Sequence, residues 1–190
     1  MPDSKDIINT RHSMGVGKTL LIIRHAKSSW DIGTLTDFER PLNDRGKKDA
    51  PVMAKRLMDR DLLIDTFVSS PAKRAKKTAE LFCEAYGKKA GDILLLSMLY
   101  HAAVTNFYEA IEQLDNSAQT VAIFSHNHGI TEFANTLTNA VRIDNMPTCG
   151  VFAIQFKSDK WADFKTEFNK DMDELGKSIS EQANKNQNKK

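Results

Sequence analysis

Between Thr19 and Phe156 short apolar runs alternate with longer stretches whose apolar residues recur at helical spacing, and this alternation constrains the fold more than any other feature. A run of four to eight apolar residues reads as a strand buried on both faces. A helix after each strand carries the chain back, so the strands lie parallel. The predicted strands are Thr19-Leu20-Leu21-Ile22-Ile23, Asp65-Thr66-Phe67-Val68-Ser69, Ile93 to Leu96, Gln119 to Phe124 and Gly150 to Phe156. The pattern predicts an α/β fold, a three-layer α/β/α sandwich with a mostly parallel central sheet.

Punctuation between the strands agrees with this reading. Asn43 is placed to cap a first helix with Ala50, Met53, Ala54, Leu57 and Met58 inward, and Pro51 is expected to bend or interrupt its first half. Ser70-Pro71 has the form of an N-cap followed by a first-turn proline. The helix behind it carries Ala75, Ala79, Phe82, Cys83 and Tyr86 on one stripe and stops at Gly87. A third helix is expected from Thr105, taken as its cap, through Phe107, Ile111 and Leu114. A fourth has Ile130, Phe133, Ala134 and Leu137 inward.

The chain has 190 residues, which suits one domain. Residues 19–170 are assigned to it, residues 1–18 to a flexible N-terminal extension and residues 171–190 to a polar tail. Its 27 basic and 25 acidic side chains leave a formal charge of +2, so the composition calls for neither nucleic acid nor an anionic membrane as partner. Two cysteines, Cys83 and Cys149, are too few for a disulfide framework, and no long apolar segment precedes the first strand. A cytoplasmic protein is expected, with Cys83 a core residue. Gly15-Val16-Gly17-Lys18-Thr19 imitates the end of a phosphate-binding P-loop. It leads into a strand where a P-loop would leave one, and His12 stands where the earlier glycine belongs, which counts against nucleotide binding there.

Three polar groups occupy equivalent β-to-α turns. Arg24-His25 follows the first strand, Arg74 lies in the helix after the second, and His126 follows the fourth. Parallel strands gather such residues at one sheet edge. Two arginines beside two histidines repel one another unless an anion joins them, and a phosphoryl group accepts paired hydrogen bonds from each guanidinium.

These segments also carry a family resemblance. Arg24-His25-Ala26, Ser69-Ser70-Pro71-Ala72-Lys73-Arg74-Ala75-Lys76-Lys77-Thr78-Ala79 and Ser125-His126-Asn127 resemble the successive signatures of the histidine phosphatase superfamily, which includes phosphoglycerate mutases. Arg24-His25-Ala26-Lys27-Ser28-Ser29-Trp30 and Arg40-Pro41-Leu42-Asn43-Asp44-Arg45-Gly46 are most similar to the SixA-type phosphohistidine phosphatase branch. That branch commonly has Gly-His-Asn-Pro-Gly where this chain has Ser125-His126-Asn127-His128-Gly129. The resemblance spans about residues 20–156 and implies a phosphoglycerate mutase-like fold.

It also implies a mechanism. Neutral His25 attacks phosphorus, forming a phosphohistidine that water hydrolyses. Arg24 and Arg74 clamp the phosphoryl oxygens, and His126, best protonated, donates a further hydrogen bond, with the start of the Pro71 helix adding backbone donors. Asn127 and Lys27 are assigned to phosphate or substrate binding. No cofactor or metal is required. The general acid has no matching carboxylate; His101 is the candidate, with Asp37 and Glu39 behind it, and Arg40 is expected to pair with acidic loop neighbours or meet substrate. The partner would be a phosphorylated protein, such as a phosphohistidine relay protein, or a small phosphorylated metabolite. Alternatives are a sugar-phosphate phosphatase or a mutase of the same superfamily, a metal site using His126-x-His128, and a phosphate-binding module without turnover.

Overall fold

The computed structural model describes residues 17–30, 35–138 and 140–168. Five strands form one sheet in the order β3-β2-β4-β1-β5. They are β1 (Lys18–Arg24), β2 (Thr66–Ser69), β3 (Leu94–Leu95), β4 (Thr120–Ser125) and β5 (Val151–Phe156). The first four run parallel, and β5 pairs antiparallel with β1. Helices α1 (Asp44–Met58), α2 (Lys73–Ala85), α3 (Val104–Glu112) and α4 (Gly129–Thr136) complete the layers.

Alternation along β1 divides the core between the two faces. Leu21 and Ile23 pack with Ala50, Ala54 and Leu57 of α1 and with Ala79, Phe82 and Cys83 of α2. Leu20 and Ile22 pack with Phe107 and Ile111 of α3, Phe133 of α4, and Trp161 and Phe164 beyond β5. All four β1 side chains are fully buried, and each stabilises the fold by about 1.5–3 kcal/mol. The α/β/α sandwich follows directly.

Local signals act as expected in two places. The Asn43 side chain accepts from the Gly46 amide at 2.9 Å and caps α1. Gly87, at φ +67°, closes α2, with its own amide on the Glu84 carbonyl and that of Lys88 on the Cys83 carbonyl, the paired bonds of a left-handed helix stop.

Elsewhere the structure corrects the sequence reading. Pro51 lies inside an uninterrupted α1, held there because Ala50 and Ala54 on either side are fully buried against the sheet. Ser70 and Pro71 precede α2 without belonging to it; the N-cap is Ala72, with no side-chain cap bond. Thr105 is likewise inside α3, whose N-cap is Ala103, and Asn106 Oδ1 accepts the Ala103 amide at 2.9 Å. The third strand shrinks to Leu94–Leu95 at the sheet edge, a short edge that offers little backbone for pairing. Lys18, assigned to the extension, opens β1 and pairs with Phe156. Otherwise the extension, apart from Gly17, and the whole polar tail lie outside the described residues.

Candidate active site

The central strands β2, β4 and β1 end together. Arg24 lies beside Ser125 and Ser69 beside Phe124 in the sheet register, so His25, Ser70 and His126 all leave the same edge. The loop that begins at His25 is pinned on several sides. The His25 amide donates to Ser125 O at 3.0 Å, Cys149 N donates to His25 O at 3.2 Å, and Asn43 N donates to Lys27 O at 3.0 Å. Ala26 N donates to Thr78 Oγ1 at 3.0 Å, and the Thr78 hydroxyl donates to Arg74 O at 2.7 Å. Thr78 therefore ties this loop to the helical turn that presents Arg74. Gly46 belongs to the same arrangement, because a Cβ there would collide with the Lys27 carbonyl oxygen.

His25 is buried, and its two ring nitrogens face different partners. Nδ1 lies 2.8 Å from the Ala26 carbonyl, and Nε2 lies 3.1 Å from Arg74 Nε. A carbonyl can only accept and an arginine N–H can only donate, so Nδ1 bears the proton and Nε2 the lone pair. Burial lowers the His25 pKa to about 4; the Ala26 carbonyl opposes this, and Arg74, Arg24 and Arg40 reinforce it. The imidazole is neutral at neutral pH.

His126 lies beside it, its ring tilted by 53° with centroids 5.1 Å apart, and Nε2 is 2.8 Å from Ser70 Oγ. Burial first, then Arg74 and His25, lower its pKa to about 2. Both histidines are thus uncharged in this site, although a protonated His126 would serve a phosphoryl group best. The donors expected from the start of α2 are also partly used. Ala72 N donates to Ser70 Oγ at 3.3 Å and Lys73 N to Phe38 O at 3.0 Å.

Asp37 organises the arginines. Arg74 Nη2 contacts Asp37 Oδ2 at 2.9 Å, and Arg74 Nη1 donates to the Asp37 carbonyl. Tyr100 donates its hydroxyl to Asp37 Oδ2 at 2.9 Å, and Arg40 Nε reaches Asp37 Oδ1 at 3.0 Å. Burial opposes ionisation of this carboxyl, but the Tyr100 and Arg74 hydrogen bonds and the Arg74 and Arg40 charges hold its pKa at about 2. An ionised Asp37 is an anchor for Arg74, not a proton donor. Arg40 pairs with an acidic loop neighbour as anticipated, while its guanidinium also lies over the Trp30 ring at 3.5 Å.

Three buried side-chain nitrogens among the described residues have no hydrogen-bond partner: Arg24 Nε, Arg40 Nη1 and His126 Nδ1. All belong to neighbours of His25, whose pKa responds to both arginine charges and whose ring meets that of His126. Buried donors without acceptors cost free energy.

The remaining sequence candidates stand further out. His101, at φ +53°, is exposed, with its ring 4.1 Å from that of Tyr100 and Nε2 3.9 Å from Asp37 Oδ2. Lys27 is exposed. Asn127 is engaged internally: Nδ2 donates to Met146 O at 3.3 Å and Oδ1 accepts from Thr131 at 2.9 Å. Arg24 Nη1 also reaches Met146 O, so the 145–146 segment backs both residues. Glu39 turns to Thr36, 3.1 Å away. His126 is buried and His128 exposed, and no cluster of three metal-ligating side chains occurs among the described residues. Cys83 lies in the core as expected, and burial pushes its thiol up to about 11. No helix among the described residues is long and apolar enough to cross a membrane. Asp37, Thr78, Ser70 and Tyr100 carry much of the site's geometry. Asp37 and Ser70 had sequence signals, each for another role, and Thr78 stood only within the quoted signature.

Comparison with known proteins agrees with this geometry. Residues 20–93 match the model of the histidine phosphatase superfamily, branch 1. An uncharacterized chloroplastic protein of Arabidopsis thaliana is 28% identical over 158 residues, covering 78% of this chain and 71% of that one. The 2,3-bisphosphoglycerate-dependent phosphoglycerate mutase of Bartonella tribocorum is 33% identical over 75 residues, covering 38% of this chain and 36% of the mutase. The crystal structure of a protein assigned as the phosphohistidine phosphatase SixA in Agrobacterium tumefaciens superposes with a TM-score of 0.64 at 25% identity, covering 72% of this chain and 89% of that one. The segment that holds His25 and Arg74 thus matches the histidine phosphatase superfamily model, and the fold is similar to that of SixA-type and phosphoglycerate mutase structures.

Proposed function

We propose that this protein is a phosphatase that works through a phosphohistidine on His25, and that its substrate is a phosphohistidine carried by another protein. The observation that carries the reading is the pair of partnerless buried arginine donors, with a further unpartnered ring nitrogen on His126, around a neutral imidazole. The phosphoryl oxygens take hydrogen bonds from Arg24, Arg74, Arg40 and His126. As they draw the Arg74 N–H away, the His25 Nε2 lone pair is released toward phosphorus. A bond forms between Nε2 and phosphorus while the bond to the leaving group breaks. Water then attacks phosphorus, its proton passes to solvent, and phosphate departs with neutral His25 restored. The fixed cations stabilise charge on the oxygens in both transition states.

The leaving group favours a phosphoramidate. Asp37 is held ionised, and His101, exposed at the rim, is a distant candidate to protonate a departing oxygen. A phosphorylated imidazole takes a proton on its own free nitrogen and leaves without such help. The rim is also low, since between Leu95 and Val104 the chain makes only a short 3-10 turn and loop, which lets a protein surface approach. A mutase or sugar-phosphate reading is favoured by the Bartonella match and is separated from ours by substrate. Purified protein offered a phosphohistidine protein, p-nitrophenyl phosphate and 3-phosphoglycerate with its bisphosphate should prefer the first. Radiolabel from the first should appear on His25 as an acid-labile, base-stable adduct. His25→Ala should lose that adduct and about 10³-fold or more in turnover; retained turnover in this variant sinks the covalent mechanism.

A further inference from the structure

Helix α2 opens with Lys73, Arg74, Lys76 and Lys77, has no acidic residue in its first turn and no side-chain cap. This inverts what a helix N-terminus favours, because its dipole end is positive. Arg74 is explained by the site. The three lysines are exposed, contribute nothing to the core, and therefore need another reason. Together with Lys47 of α1 they line a cleft of about 360 Å³ between α1 and α2, whose apolar lining is Pro41 and Leu42.

Charge in this cleft is not balanced internally. Lys47 pairs with Asp44 at 3.2 Å and Lys77 with Glu80 at 3.0 Å, whereas Lys73 and Lys76 have no acidic partner among the described residues. The cleft also adjoins the active site: Lys73 precedes Arg74 and its amide is bound by Phe38 O, and Pro41 follows Arg40. Since the whole chain carries a formal charge of only +2, this positive field is local and directional.

We propose that the α1–α2 cleft docks an acidic polypeptide segment of the phosphorylated substrate protein, with carboxylates on Lys73 and Lys76 and an apolar side chain against Pro41 and Leu42. The proposal rests on the phosphatase reading above and gives that reading its partner. The mixed lining fits a polypeptide better than a nucleic acid, which offers phosphates but no aliphatic side chain.

Two synthetic phosphohistidine peptides test it, identical except that one carries Asp and Glu flanks and the other Asn and Gln. Wild type should show about tenfold lower KM for the acidic peptide, a preference that fades in about 0.5 M salt. Lys73→Glu/Lys76→Glu should raise the acidic peptide's KM about tenfold and leave kcat, and p-nitrophenyl phosphate hydrolysis, within about twofold. Equal use of both peptides by wild type overturns the proposal, as does an equal loss on p-nitrophenyl phosphate. Fluorescence anisotropy with the unphosphorylated acidic peptide reads docking alone. Binding by wild type but not by the variant, with no hydrolysis of any substrate, would keep the docking surface and discard the phosphatase reading. Tighter binding of an oligothymidylate, abolished by the same variant, would assign the cleft to nucleic acid and overturn the proposal.

Discussion

Strand β1 begins with one cationic side chain and ends with another, and the fold treats them oppositely. Lys18, fully buried, donates to the carbonyls of Asn116 at 2.5 Å and Ala118 at 2.9 Å and lies 5.7 Å from the Trp161 ring centre. Its demands are met within the chain. Arg24, six residues later, keeps a buried Nε without a partner, next to His25 and near a second arginine with the same deficit. The difference separates a cation that closes a structure from cations that, in the proposed function, would bind an anion. It also disposes of the P-loop likeness around Lys18, whose ammonium is already committed to protein oxygens.

Variants at the two ends should break differently. Arg74→Lys, at the anion-binding end, is expected to cut kcat/KM by about 10²–10³-fold, since an ammonium cannot serve His25, Asp37 and a phosphoryl group from one planar fork. Its thermal stability should change little, but the rise in Tm that phosphate gives to wild type should vanish. Lys18→Ala should do the reverse. Losing the donor to Asn116 O and one of the two donors to Ala118 O, together with the buried Lys18 stem, should cost about 1–3 kcal/mol in urea unfolding, while kcat/KM and the phosphate-induced Tm rise persist. If Lys18→Ala abolished phosphate binding, the contrast between the two ends would collapse.

A pH series sharpens the same contrast. His25 and His126 have folded pKa values of about 4 and about 2, below the ordinary value near 6.5. Between about pH 6.5 and 4 the unfolded chain therefore binds more protons than the folded one, and stability must fall as pH falls. Calorimetry should show Tm dropping by several degrees across this window, with a shallower slope in His126→Asn. An unchanged slope in that variant would contradict the buried neutral His126. The smallest effect belongs to Thr78→Val, which removes the bridge from Ala26 N to Arg74 O. About 1 kcal/mol of stability and a severalfold loss in kcat are expected, with KM nearly unchanged.

The candidate site was legible in the sequence to the extent that it sits at strand ends. His25 and His126 follow β1 and β4 directly, and Arg74 enters just after β2, so strand pattern alone brought them to one edge. Asp37 was visible only as a loop carboxylate with a weak claim to acid catalysis. Its real setting, between Arg74, Arg40 and Tyr100, joins segments up to 63 residues apart, and no local period encodes such a meeting. The two helix starts were misplaced for a related reason. Ser70 has a cap's composition, but its hydroxyl meets His126, so the tertiary partner decided what a local propensity had left open.

The sequence by itself determined the layers, the parallel strands, the Asn43 cap and the Gly87 stop, because each depends on side-chain spacing and backbone preference within a few residues. It also placed His25, Arg24, Arg74 and His126 at one edge. Only the tertiary structure decided which His25 nitrogen carries the proton, that both histidines are neutral, that Asp37 is ionised, and that Lys18 is satisfied while Arg24 is not. Those states are set by desolvation and by hydrogen-bond partners drawn from distant segments, and such partners exist only once the chain has folded.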